Sequence, residues 1–176
     1  GEKMKDYENI ADNIIYKIYP YIIIDLKKLY KNSFENKVIA ELGTGPGHIL
    51  SELLKENFKS VYGIDISLDM LLKAQKRNNK INNLQLINAN VESLPFKNSS
   101  IDIIISRGSI FFWKNLDKSR SEIYRVIKSK GFVLIGGGYG VSTPEYVVDE
   151  IKSNFKKNIL KNDKPKLNID KTVDLM

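Results

Sequence analysis

Three glycines on alternate positions, Gly43, Gly45 and Gly47, follow the apolar run Val38–Leu42 and precede a stretch of helical periodicity. A strand, a tight turn and a helix start in that order can hold a ligand by its backbone. Glycine lets the main chain approach closely and take positive φ. The first N–H groups of the helix offer unpaired donors and partial positive charge to an anionic group. Asp65 ends a second apolar run, Val61–Asp65, about twenty residues past the turn, where a carboxylate can accept hydrogen bonds from both hydroxyls of a ribose. The chemistry these residues support is capture of a nucleoside-bearing ligand. A glycine turn without a ligand is the plainer alternative for the loop alone.

The elements that must position these residues follow from periodicity. Tyr7–Lys31 reads as helix broken at Pro20, with Ile10, Ile14, Ile15 and Ile18 and then Ile22, Ile23, Leu26, Leu29 and Tyr30 on its apolar faces. This segment suits either a lid over the ligand or a helix packed on one sheet face. Ile49–Asn57 reads as a crossover helix, and Leu68–Lys80 as a second, with Ser67 as its N-cap. Leu84–Asn88 and the almost wholly apolar Ile101–Ser106 read as strands. Asp117–Lys130 reads as a helix stopped by Gly131, Phe132–Ile135 as a strand, and Thr143 and Pro144 as N-cap and N1 of a helix reaching about Leu160. Strands alternating with helices imply an α/β fold, a doubly wound, mainly parallel, Rossmann-like sheet with helices on both faces. In such sheets ligands bind beyond the carboxyl ends of the strands. The glycine turn, Asp65 and the residues after the third and fourth strands all fall on that edge.

Bulk properties narrow the classes. A chain of 176 residues fits one main domain. There is no cysteine, which removes disulfides, thiolate metal sites and cysteine nucleophiles and fits a reducing, cytoplasmic setting. No metal site is expected. No apolar run approaches the ~20 residues of a membrane helix, and the polar, charged first residues do not read as a secretory leader. The net charge of +7 allows a nucleic-acid or anionic-membrane partner. Its lysines, however, are scattered among asparagines in the manner of solvated helix faces.

The spacing of the glycine loop decides between nucleotide types. A dinucleotide fingerprint needs a third glycine at the position held by His48, so an NAD-dependent dehydrogenase is disfavoured even though Asp65 would suit it. Glu41-x-Gly43-x-Gly45-x-Gly47, together with VYGIDIS, NANVESLPF, IDIIIS and EIYRVIKSKG, resembles successive motifs of the class I S-adenosylmethionine (SAM) methyltransferases. The nearest resemblance is to the small-molecule type, similar to the quinone-biosynthesis methyltransferases and their uncharacterised relatives, over roughly residues 15–160. The resemblance implies SAM as cofactor and S-adenosylhomocysteine (SAH) as product. Glu41, Gly43, Thr44, Gly45 and Gly47 would line its methionine part. Asp65 would take the ribose hydroxyls and Ile66 would lie against adenine. Asn90 stands where the family usually has aspartate; its amide oxygen can still accept from the adenine amino group, and the Val91 N–H would face the ring. Ser106 and Arg107 would lie beside the sulfonium and the acceptor.

Methyl transfer needs positioning and desolvation more than an obligatory catalytic group, so no base can be read off the chain. His48, Arg107 and Tyr139 are the catalytic candidates. His48 could be a base or a surface helix residue, Arg107 could bind an acidic acceptor or fix its loop, and Tyr139 could close the pocket or sit in a turn. Phe111, Phe112 and Trp113 could line an acceptor pocket, with core packing favoured for Phe112. An Asp/Asn-Pro-Pro-aromatic run, a nucleophilic cysteine and a glutamate pair after the fourth strand are all missing, which removes the amino-methylating nucleic-acid, cytosine-C5 and protein-arginine subclasses. The expected acceptor is a small molecule. A SAM or nucleoside-binding module without catalysis and an RNA-directed methyltransferase are the alternatives. The expected organisation is a helical lid over 1–35, a SAM-binding domain over 36–160 and a tail over 161–176. The family's two C-terminal strands are missing apart from strand-like LNID at Leu167, which leaves the edge beside the fifth strand open. A truncated chain accounts for that; strands supplied by another chain, as an oligomer, would be the other way to close the edge.

Overall fold

The computed structural model describes residues 14–79 and 81–162. The start of the expected first helix, with Ile10, and the strand-like LNID lie outside the described residues. Five strands form one sheet in the order β3-β2-β1-β4-β5: β1 Val38–Leu42, β2 Ser60–Asp65, β3 Leu84–Asn88, β4 Ile101–Arg107 and β5 Ile127–Gly136. Every neighbouring pair is parallel. The helices are α1 Tyr19–Tyr30, α2 His48–Leu53, α3 Leu68–Arg77, α4 Leu116–Val126 and α5 Glu145–Asn162, with short 3-10 turns at Ile15–Ile18 and Ile110–Phe112. None is long and apolar enough to cross a membrane among the described residues.

Alternation along the central strands builds two cores. Ile39, Ile103 and Ile105 face one side, where Ile18, Ile22, Ile23 and Leu26 of the N-terminal segment meet Leu50 and Leu53 of α2, Ala74 of α3, and Val147 and Ile151 of α5. Ala40, Leu42, Ile64 and Ile104 face the other side, against Ile123 and Val126 of α4 and Leu94. The α1 face is therefore continuous with the main core. Pro20 lies in its first turn, where a missing N–H costs nothing.

Several boundaries differ from the sequence reading, among them the second crossover helix, which ends at Arg77 rather than Lys80. The crossover helix ends at Leu53 rather than Asn57. Gly131 does not stop a helix: α4 ends at Val126 and the chain turns extended at Ile127, which pairs with Ile101. The register then shifts between Ile101 and Ile103, so that Ile103 faces Phe132, and Gly131 sits inside β5 at this irregularity. A Cβ there would come within 2.5 Å of the Ile127 side chain. Thr143 does not cap α5 through its side chain, since its buried hydroxyl has no hydrogen-bond partner among the described residues. The Pro144 carbonyl instead accepts from Val147 and Val148.

Candidate functional site

The carboxyl ends of β1, β2 and β4 bring the site together. Gly43, Gly45 and Gly47 all take positive φ, at 70°, 53° and 83°. The N–H groups of Gly43 and Thr44 both donate to the Ile64 carbonyl, at 2.8 and 3.0 Å, which ties the loop to the end of β2. At Gly47 the left-handed backbone is joined by close approach, because a Cβ would lie 2.9 Å from the Ala74 backbone of α3. At Gly45 the same construction meets nothing within 4 Å. The loop thus has one face locked onto protein and one open.

Asp65 links that open face to the second strand. Its Oδ2 accepts from the Gly45 N–H at 2.8 Å and its Oδ1 from the Ser67 N–H at 2.9 Å. A carboxylate has about four lone-pair sites, so each oxygen keeps one for a ligand hydroxyl. Ser67 caps α3 as expected, accepting from the Met70 N–H at 3.4 Å. Beyond it Ile66 is 66% exposed, an apolar surface that a flat ring can cover.

Glu41, one residue before the end of β1, is almost wholly buried and accepts from Thr44 Oγ1 at 2.6 Å. Burial pushes its carboxyl up to about 8; the Thr44 hydrogen bond opposes this and the Asp65 charge adds to it. Asn90 Oδ1 accepts from the Glu92 N–H at 3.0 Å, so half of its acceptor capacity is already used in an Asx turn. The Val91 N–H donates to no described residue. Ser106 is buried, its hydroxyl 2.8 Å from the Leu42 carbonyl and 2.6 Å from the Ser109 hydroxyl. Its polar group is therefore committed within the protein.

His48 opens α2 half-buried, its ring stacked on Tyr19 at 5.1 Å. Arg107 ends β4 with its guanidinium 5.9 Å over the Tyr19 ring, and its Nη2 donates to the Gly138 carbonyl. Tyr139 packs against the first core. Phe111 and Phe112 are exposed, Phe112 contrary to the core position expected for it, whereas Trp113 packs on the second core and donates to Ser109 at 3.1 Å.

Several positioning residues carry no strong sequence signal. Asn78 donates to the Gly47 carbonyl at 3.0 Å and Arg77 Nε to the Pro46 carbonyl at 2.9 Å, so the end of α3 holds the loop. Asn88 donates to the carbonyls of Asp65 and Ile66 at 3.0 and 2.9 Å. Ser109 fills the space a Cβ on Gly43 would take. A side chain bonding a distant loop looks, in sequence, like any polar residue at an element end. A cavity of about 480 Å³ lies elsewhere, between α3 and the β3 edge, and no glycine-loop residue lines it.

Residues 40–135 match the methyltransferase domain family. The chain belongs to the class I SAM methyltransferases. It is similar to a crystal structure assigned to the SAM-dependent methyltransferases from Methanococcus maripaludis, with TM-score 0.79 and 29% identity over 92% of this chain and 72% of that one. It is 30% identical to an uncharacterised protein of Methanocaldococcus jannaschii over 96% of this chain and 64% of that protein. To the ubiquinone/menaquinone biosynthesis C-methyltransferase of Rickettsia typhi it is 33% identical over 61% of this chain and 49% of the relative. It therefore spans about half to two thirds of these curated relatives. SAM is the cofactor of this methyltransferase domain. The residues present fit it: the open face at Gly45, the two spare acceptor positions of Asp65 and the unused Val91 N–H are what a nucleoside with a ribose diol needs.

Proposed function

We propose that this domain transfers the methyl group of SAM to a small-molecule acceptor. The observation that carries the reading is the join of Gly45 to Asp65, which sets an open loop face and a carboxylate with spare lone pairs side by side. Bound SAM supplies a methyl carbon already activated by the positive sulfur. The chain's own part is to bind and orient. Asp65 would hold the ribose, Ile66 and the Val91 N–H the adenine, and the Glu41–Gly47 loop the methionine end. Asn90 would keep one acceptor position for the adenine amino group. Ser106 and Ser109 act indirectly, bracing β4 against the end of β1. The Tyr19 end of α1, His48, Arg107 and Tyr139 would wall the acceptor side, with the exposed Phe111 and Phe112 at its rim. The N-terminal segment is then a wall of the pocket as well as part of the core. No proton acceptor is assigned, since displacement at an activated carbon requires none when the nucleophile is already deprotonated.

The test is SAH formation from SAM by this chain, with and without a panel of small metabolites. Acceptor-dependent SAH release above the blank is expected. Asp65→Ala is expected to reduce it at least ~100-fold through cofactor affinity, because two charge-assisted hydrogen bonds are lost. Saturable SAM binding with no acceptor-dependent turnover would leave a cofactor-binding module and no enzyme.

A further inference from the structure

Two half-buried arginines in this protein are treated differently. Arg125 has its donors filled: Nε and Nη2 go to the two Glu122 oxygens at 2.7 and 2.8 Å, Nη2 also to the Leu94 carbonyl, and Nη1 to Phe96 O and Asn98 Oδ1. That is an arginine used as a structural clamp. Arg107 donates once, to the Gly138 carbonyl. Its Nε is buried without a hydrogen-bond partner, and no carboxylate of the described residues pairs with it. The buried acids are engaged elsewhere: Asp25 accepts from the Ser142 N–H at 2.9 Å and Glu41 from Thr44. Stacking on Tyr19 leaves that Nε donor unmade, and a buried donor without a partner is a cost to the fold. Unlike Arg125, Arg107 therefore keeps hydrogen-bonding capacity that the fold does not use.

Its place explains what it could do instead. Arg107 follows Ser106 at the carboxyl end of β4, in register with Gly136 of β5, on the same sheet edge as the glycine loop and Asp65. A methyl donor carrying a sulfonium puts a second positive charge on that edge, and two cations in a partly dry site repel. An anionic acceptor answers both charges. Resting on the methyltransferase reading above, we propose that Arg107 receives an anionic group, carboxylate or phosphate, on the methyl acceptor. The guanidinium fork suits either oxyanion. Phe111, exposed and packed close to Gly137 next to Gly136, offers aromatic surface nearby, so the favoured acceptor joins an apolar body to that anionic group. Arg107 makes and breaks no bond in the transfer; it is a specificity-determining residue.

The experiment titrates the SAH complex of this chain with benzoate, inorganic phosphate and the neutral isostere benzamide. Saturable binding of at least one anion, weakened by salt, is expected, with benzamide at least roughly ten-fold weaker than benzoate if the carboxylate arm is the one that binds. Benzoate alone would name a carboxylate acceptor and phosphate alone a phosphorylated one. Arg107→Met is expected to abolish anion selectivity while SAH affinity stays within about three-fold, which shows a folded cofactor site even though the bond to the Gly138 carbonyl is lost. Arg107→Lys is expected to retain part of the selectivity. Equal binding of benzoate and benzamide, no saturable anion binding, or unchanged selectivity in Arg107→Met would overturn the proposal. Failure of the wild-type chain to bind SAH would instead overturn the methyltransferase reading on which it rests.

Discussion

Glu41 has a consequence for stability. Burial raises its folded-state pKa to about 8, above the ordinary glutamate value of 4.5. The native state therefore holds this proton more tightly than the unfolded chain. Its stabilising contribution is complete below about pH 4.5 and is lost as the pH rises through about 8. The loss has a ceiling of about 5 kcal/mol at 1.36 kcal/mol per pKa unit. Glu41→Gln keeps the shape and cannot ionise. Denaturant unfolding is expected to show the variant close to wild type at pH 5 and more stable than wild type at pH 9. A variant less stable at pH 9 would mean that Glu41 is ionised and paired in the fold. At this scale the sequence was legible where backbone geometry dictates residue type, as at the glycines, or where a strand end fixes a carboxylate, as at Asp65. It was not legible at Asn78, Asn88 and Ser109, whose partners lie far along the chain.

Between α4 and the segment after β3, Glu122 and Arg125 form a clamp one helical turn apart. Glu122 accepts from the Leu94 N–H at 2.7 Å while Arg125 reaches the Leu94 and Phe96 carbonyls. The pair thus fixes the segment that follows Asn90 and Val91, giving the EIYRVIK stretch a structural role behind the proposed adenine end of the site. The Arg125 hydrogen bond holds the Glu122 carboxyl below its usual range, so this contribution is present above the ordinary carboxylate range and lost as the pH falls through the lowered pKa. Arg125→Ala is expected to cost about 2 kcal/mol in urea unfolding, because buried carbonyls lose their donor. A change under about 0.5 kcal/mol would show that the clamp is no better than a surface ion pair. The α4–β5 boundary was misread in sequence for a related reason. Ile123, Val126 and Ile127 keep helical spacing, and the extended turn at Ile127 is set by pairing with Ile101 rather than by any local stop signal.

Over the whole molecule, strand count and parallel pairing followed from alternating patterns, and the strand-end rule points to the carboxyl edge for the candidate site. The grip on the segment after β5 did not. Asp25 of α1 bonds the Ser142 N–H, Lys28 bonds the Ser142 hydroxyl at 2.9 Å, and Arg107 bonds Gly138, so this segment is strapped down at both the helix and the site. A Cβ on Gly140 would lie 2.2 Å from the Asp25 carboxylate. Contacts between residues more than a hundred positions apart leave no periodic trace. β3 and β5 stand at the two edges of the sheet, and the glycine loop near its middle, where β1 lies between β2 and β4. The reading as a whole rests on that loop holding a SAM nucleoside. Calorimetric titration of this chain with SAM, SAH and NAD is the most direct measurement of it. SAM and SAH are expected to bind with Kd on the order of micromolar, Gly45→Val to abolish both, and NAD to give no saturable heat. NAD binding as tight as SAH, or no binding of SAM and SAH at all, would contradict the assignment of this loop.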